Sequence, residues 1–208
     1  MLMSRTMKVQ GGFSLLEVII TMAILAVGLL GLAGLQARAL NAEADSFSRA
    51  QAMMLANEMA DRMNSNLTEV KTSTAANTGY NQQSSGSVPV VFGTGYSNDC
   101  ITVTNNTPAL QATCCAGKAS MAARDFCEWD LSIKGIGESV SGSKVGGLTA
   151  GRACVFNTGT SGEFQIDVVW QARDIGVVPS DNSCGSTAIT TRRSGVSRKI
   201  RVAVLDGT

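Results

Sequence analysis

"GGFSLLEVIITMAILAVGLLGLAGLQ", residues 11–36, decides the architecture. From Val18 to Leu35 no side chain is charged and only Thr21 is polar. At ~1.5 Å per residue that run spans about 27 Å as a helix, close to the ~30 Å hydrocarbon core of a bilayer. Arg5 and Lys8 precede it, and no acidic residue stands before Glu17. That asymmetry keeps the start of the chain in the cytoplasm and sends the rest outward. Glu17 is discordant, because a carboxylate is expensive in hydrocarbon. Its position therefore needs a reason.

A secretory signal peptide has a shorter apolar core followed by a small-residue cleavage site. Here the chain runs on as "QARALNAEADSFSRAQAMMLANEMADRMNSN", with no glycine or proline from Gln36 to Asn66. Residues 13–66 read as one helix, wholly apolar at first and amphipathic afterwards. Leu40, Ala44, Phe47, Ala50 and Met54 follow helical spacing, and Leu55, Met59 and Met63 continue on a rotated line. The second half of this stripe predicts packing on the domain that follows. For the first half, a partner helix fits at least as well. Gly28, Gly31 and Gly34 weaken the helix in water, but in a membrane small residues permit close helix contact or local bending.

The totals narrow the function. A chain of 208 residues holds one moderate domain plus an appendage. With 17 Lys+Arg against 16 Asp+Glu, no bulk field points to nucleic acid or an acidic substrate. The 22 glycines recur without a fixed period, which excludes a collagen-like or solenoid repeat. The chain has 0 histidines, which removes Ser-His-Asp and Cys-His catalysis and the usual neutral-pH base. No catalytic residue, metal site or cofactor is read from the sequence, and an enzyme is not expected. "AGKAS" (116–120) lacks the upstream glycine of a phosphate loop, and "GTSGE" (159–163) lacks the nucleophile-elbow pattern.

Cys100, Cys114, Cys115, Cys127, Cys154 and Cys184 all lie beyond the apolar run. An even count on the exported side fits a disulfide framework. A metal site would need C-x-x-C spacing, and adjacent Cys114 and Cys115 do not form such a knuckle. Spacing leaves the pairing open. We favour Cys154 with Cys184, both bordering the predicted sheet, while Cys100 and Cys127 share Cys114 and Cys115 in either order.

Residues 72–120 are rich in Ser, Thr, Asn and Gly, with short strand-like pieces at 88–92 and 100–104. They read as an irregular connection holding a small hairpin. Residues 119–134, "ASMAARDFCEWDLSIK", predict a short helix with Phe126, Trp129 and Ile133 on one face. "RACVF" (152–156), "EFQIDVVWQ" (163–171) and "GVSRKIRVAVL" (195–205) alternate as strands. Phe164, Ile166, Val168 and Trp170 take one side, while Gln165, Asp167 and Gln171 take the other. Val196, Ile200, Val202 and Val204 join the apolar set. The result is an α+β domain in which three antiparallel strands present one inward face to the amphipathic half of the long helix. Arg192, Arg193, Arg198, Lys199 and Arg201 form a basic cluster on the last strand. It could serve as a site for DNA phosphates or for an acidic partner subunit, but without interleaved aromatics it reads as an edge strand protected by its charge.

The leader ending in Gly12, then Phe13-Ser14-Leu15-Leu16-Glu17 and the apolar span, resembles the amino-terminal signal of type IV pilins and type II secretion pseudopilins. A narrower resemblance, to minor pilins, rests on "SLLEV", "AVGLLGLAGLQ", "LANEMADRMNSN", "CEWDL", "GRACVF", "FQIDVVWQ" and the closing basic strand. It is patchy from 67 to 120, and Gly34 stands where major pilins carry an early proline.

The resemblance implies a type IV pilin-like fold, a long amino-terminal helix packed on a small antiparallel sheet. It implies that a prepilin peptidase cuts between Gly12 and Phe13, that Phe13 is N-methylated, and that Glu17 serves subunit assembly. The implied segments are a cytoplasmic leader (1–12), a transmembrane and assembly helix (13–36), its amphipathic continuation (37–71) and a periplasmic disulfide-stabilised domain (72–208). The implied partners are other minor pilins and the major pilin, reached through the helix, and a tip adhesin; nucleic acid is not expected. The implied location is the inner membrane of a Gram-negative bacterium and then the extracellular pilus. A type II secretion pseudopilin and a DNA-uptake minor pilin are the alternatives.

Overall fold

A computed structural model describes residues 12, 14–73, 75, 78–84, 88–96, 101–104, 107–110, 115–136, 139–140, 143–144, 146–160, 162–173, 176–179 and 183–202. The helices are α1 (Leu15–Ser65), α2 (Leu67–Thr72) and α3 (Met121–Lys134). Between α2 and α3 lie β1 (Gln83–Ser84), β2 (Val88–Pro89), β3 (Phe92–Gly93), β4 (Ile101–Thr104) and β5 (Thr107–Leu110). After α3 come β6 (Ser139–Val140), β7 (Ser143–Lys144), β8 (Arg152–Asn157), β9 (Glu163–Gln171) and β10 (Arg193–Arg201). The chain divides into two compact units, Met1–Glu43 and Ala44–Thr208, and α1 contributes to both.

In the second unit, antiparallel pairing gives a four-stranded sheet in the order β10-β9-β8-β3. Register places Val196 beside Val168, Ala153 beside Val168 and Phe92 beside Ala153, so one apolar row crosses all four strands. Onto this face pack Ala52, Leu55, Ala56, Met59, Ala60 and Met63 of α1 and Ala122, Phe126, Trp129 and Ile133 of α3. The steps between these residues are those of a single helical face, which is why both helices lie on the sheet. The architecture is the expected α+β arrangement of a long helix on a small antiparallel sheet.

Local chemistry fixes the ends of α3. The Ser120 hydroxyl accepts a hydrogen bond from the Ala123 N–H at 3.1 Å, capping the first turn. Gly135 ends the helix with φ 64°, a left-handed position that a Cβ would strain. At the centre, Trp129 is fully buried and its indole N–H donates to the Leu55 carbonyl at 2.9 Å, tying α3 to α1. Phe92 stacks on Phe126 with centroids 4.7 Å apart.

Three expectations are corrected. The sheet has four strands rather than three; β3 is only two residues long and too short to show alternation. The piece at 88–92 is divided, because Val88–Pro89 pairs with β1 while Phe92–Gly93 joins the main sheet. Alternation places Gln165 and Asp167 on an outer face, but they are 3% and 0% exposed. The cause is a second apolar layer of Cys154, Val169, Cys184 and Ile189 behind the sheet. The Cys154–Cys184 disulfide anchors that layer, and Gln165 Nε2 donates to Asp167 Oδ1 at 3.0 Å within it. Gln171 is exposed, as alternation requires. Val204 lies outside the described residues.

Cys115 is bonded to Cys127, joining the approach to α3 with its second turn. Cys100 and Cys114 lie outside the described residues.

Candidate assembly segment

In the first unit, Gly12 is exposed, and among the described residues nothing beyond its chain neighbours lies within 4 Å of where its Cβ would stand. Two residues on, the Ser14 carbonyl accepts from the N–H groups of Glu17 at 3.0 Å and Val18 at 3.3 Å, which starts the first turn of α1. Glu17 sits in that turn, where a carboxylate meets the positive end of the helix dipole. Phe13 lies outside the described residues.

From there the helix surface is bare hydrocarbon. Leu15 is 77% exposed and Leu30 74%, and Ile24, Val27 and Leu35 are likewise open. By length and composition the helix is apolar enough to cross a membrane, and none of its most apolar stretch is buried. In water such a surface is unfavourable at roughly 25 cal/mol per Å². Lipid, or a bundle of similar helices, removes that cost. The polar exception, Thr21, donates its hydroxyl to the Val18 carbonyl at 2.9 Å. That internal bond spares it an unsatisfied donor in lipid. Phe47 and Met54, on the stripe matched to a partner helix, are each 69% exposed.

The second unit carries an ionic cluster that sequence reasoning missed. Arg62 of α1 meets Glu58 at 2.9 Å, Asp125 at 3.1 Å and Glu128 at 2.6 Å. Arg124 adds a second cation on Glu128, and the Tyr80 hydroxyl donates to Asp125. Burial works against the Arg62 charge, but hydrogen bonds to Glu128, Glu58 and Asp125 outweigh it and raise its pKa. Burial and then the bond to Asp125 raise that of Tyr80. The Glu58/Arg62 and Arg124/Glu128 spacings were legible as helix pairs. Their convergence from elements more than sixty residues apart was not. The arrangement clamps α1, α3 and the Tyr80 loop together and offers no nucleophile.

Two carboxylates in this region give a pH prediction. Burial opposes ionisation of Glu69, yet the Ala122 N–H and the Ser120 and Asn66 side chains hold its pKa below the usual 4.5. Burial likewise opposes Glu128, and Arg62 and Arg124 overcome it. A carboxylate lowered in the folded state stabilises fully above its unfolded pKa, and the contribution disappears as pH falls through the folded value. The urea midpoint is therefore expected to fall as pH drops below about 4.5. Glu128→Gln should shrink that fall; an undiminished fall would remove Glu128 from the account.

The basic cluster lies on β10, at the edge of the main sheet, with Arg192 just before the strand. Arg193 donates to the Cys184 carbonyl at 2.7 Å, Arg192 to the Arg173 carbonyl at 2.8 Å, and Arg198 to Asn57 Oδ1. Much of the cluster is thus engaged with the fold itself. Among the described residues, no group of three or more His, Cys, Asp or Glu side chains is placed to hold a metal ion.

Among known families, the prokaryotic N-terminal methylation motif matches residues 7–33. No curated protein and no solved structure matches the chain. The matched segment contains Gly12, Phe13, Glu17 and most of the exposed apolar helix. It supports a type IV pilin-like protein of a pilus or pseudopilus, processed by a prepilin peptidase and assembled with other pilins. Membrane anchoring through the apolar helix and a structural, non-enzymatic role fit the same signal.

Proposed function

We propose that the chain is a minor pilin of a type IV pilus, resembling PilV. In this reading it waits in the inner membrane with residues 72–208 in the periplasm and then enters the fibre. There it helps prime assembly and, at the tip, links or presents an adhesin, with consequences for twitching and adhesion. Cleavage falls between Gly12 and Phe13, Phe13 is N-methylated, and Glu17 pairs with the cationic amine of an adjacent subunit. The observation that carries the reading is the register of the leader's end, Gly12, Phe13, Glu17 and most of the apolar helix within the matched residues 7–33.

Packing supplies the mechanism. Little hydrophobic free energy separates lipid from a bundle of apolar helices, so polar pairing and close contact provide the selectivity. Glu17 makes membrane residence less favourable than a site offering a countercharge. The exposed Phe47 and Met54 extend the available helix surface beyond the span.

Deleting the gene separates this reading from its alternative. Loss of surface fibres and of twitching, with protein secretion intact, is the expected result. Intact fibres with failed secretion would instead identify a type II pseudopilin, which shares the same amino-terminal signal.

A further inference from the structure

The second unit contains a groove of about 320 Å³ between α1 and the edge strand β10. Arg49, Met53 and Asn57 line it from the helix, and Val196 and Arg198 from the strand, with Pro179 at its margin. No carboxylate is among its lining residues, while a guanidinium stands on each wall. Arg198 lies opposite Ile166 in register, on the helix side of the sheet, and reaches Asn57. Arg49 is exposed, and Met53 is half exposed, giving the groove an apolar surface between its two cations.

We propose that this groove receives an extended acidic segment of a neighbouring pilin-like subunit, a carboxylate meeting Arg49 and Arg198 and an adjacent apolar side chain covering Met53. The inference rests on the proposed function, which supplies neighbouring subunits, and adds the chemistry by which one is chosen. Charge complementarity sets the sign of the occupant. A guanidinium offers a planar fork of donors that matches a carboxylate. The size matches too, since the groove holds side chains of one or two residues rather than a folded element. Along its strand wall the Gly195 N–H already donates to the Val177 carbonyl at 3.0 Å, so the occupant is held by its side chains rather than by pairing with β10. Nucleic acid fits less well, because no aromatic ring lines the groove on which a base could stack.

The test places a photoreactive residue in the full-length chain, Met53→p-benzoylphenylalanine, in cells that assemble the fibre. Adducts are mapped by mass spectrometry. The expected result is one dominant adduct on another pilin-like subunit, within a few residues of an Asp or Glu. Arg49→Glu, an exposed helix substitution that leaves the core intact, should lower the yield at least about threefold. Adding Arg198→Glu should lower it at least about tenfold, and a lysine at the mapped acid should restore it. Adducts scattered over many sites, confined to lipid or found on nucleic acid would overturn the proposal. So would a yield indifferent to Arg49→Glu, or no adduct although fibres contain the chain. A chain never recovered in fibres would instead defeat the proposed function beneath it.

Discussion

Trp129→Ala is expected to lower the unfolding free energy of the second unit by about 3–5 kcal/mol, the usual range for truncating a buried large aromatic. The indole is 0% exposed, lies 6.3 Å from the Phe92 ring and 6.4 Å from that of Phe126, and donates to Leu55. Its removal leaves a cavity where α1, α3 and the sheet meet and deletes the hydrogen bond between the helices. Trp129→Phe keeps most of the volume and loses the donor, so a smaller cost of about 1–2 kcal/mol is expected. Domains of this kind have only about 5–15 kcal/mol in total, so the alanine variant should show a much earlier urea transition by near-ultraviolet circular dichroism. A shift below about 1 kcal/mol would mean that the residue is not the junction described.

The second large effect concerns assembly rather than folding. Glu17→Ala should leave cleavage unchanged and reduce incorporation into the fibre at least about tenfold. An acidic side chain within the apolar part of a membrane costs at least ~2.5 kcal/mol on insertion scales. A neighbour that supplies a cation recovers part of this, and 1.4 kcal/mol already corresponds to a factor of about ten. Favourable placement at a helix amino-terminus is a smaller effect, ~0.3–1 kcal/mol when exposed. If the dipole were the whole role of Glu17, the alanine variant would enter fibres nearly as well as the native chain. Immunoblots of sheared fibres against membrane fractions distinguish the two outcomes.

The elements legible in the sequence are those with a long period. The Leu55-Met59-Met63 stripe, the Phe126-Trp129-Ile133 face and the alternation of β9 each repeat often enough to declare a buried side. β3 has two residues and no repeat, so its place in the sheet depends on tertiary pairing with Ala153 and Arg152. Gln165 and Asp167 look like solvent-facing positions because the layer that buries them, around Cys184 and Ile189, has no period of its own. The Arg62 cluster was hidden for another reason: half of each pair was visible on its own helix, but the folded chain brings the helices together. The assembly segment is different in kind. The matched motif is a run of consecutive residues, 7–33, so it is legible along the chain without a fold.

The central claim is that this segment is cut and then built into a fibre, and the amino-terminus of the chain recovered from sheared surface fibres tests it directly. Mass spectrometry of that material should find a peptide beginning at Phe13 and carrying one added methyl group on its amine. A chain that retains residues 1–12, or one cut after the apolar helix and absent from fibres, would contradict the account.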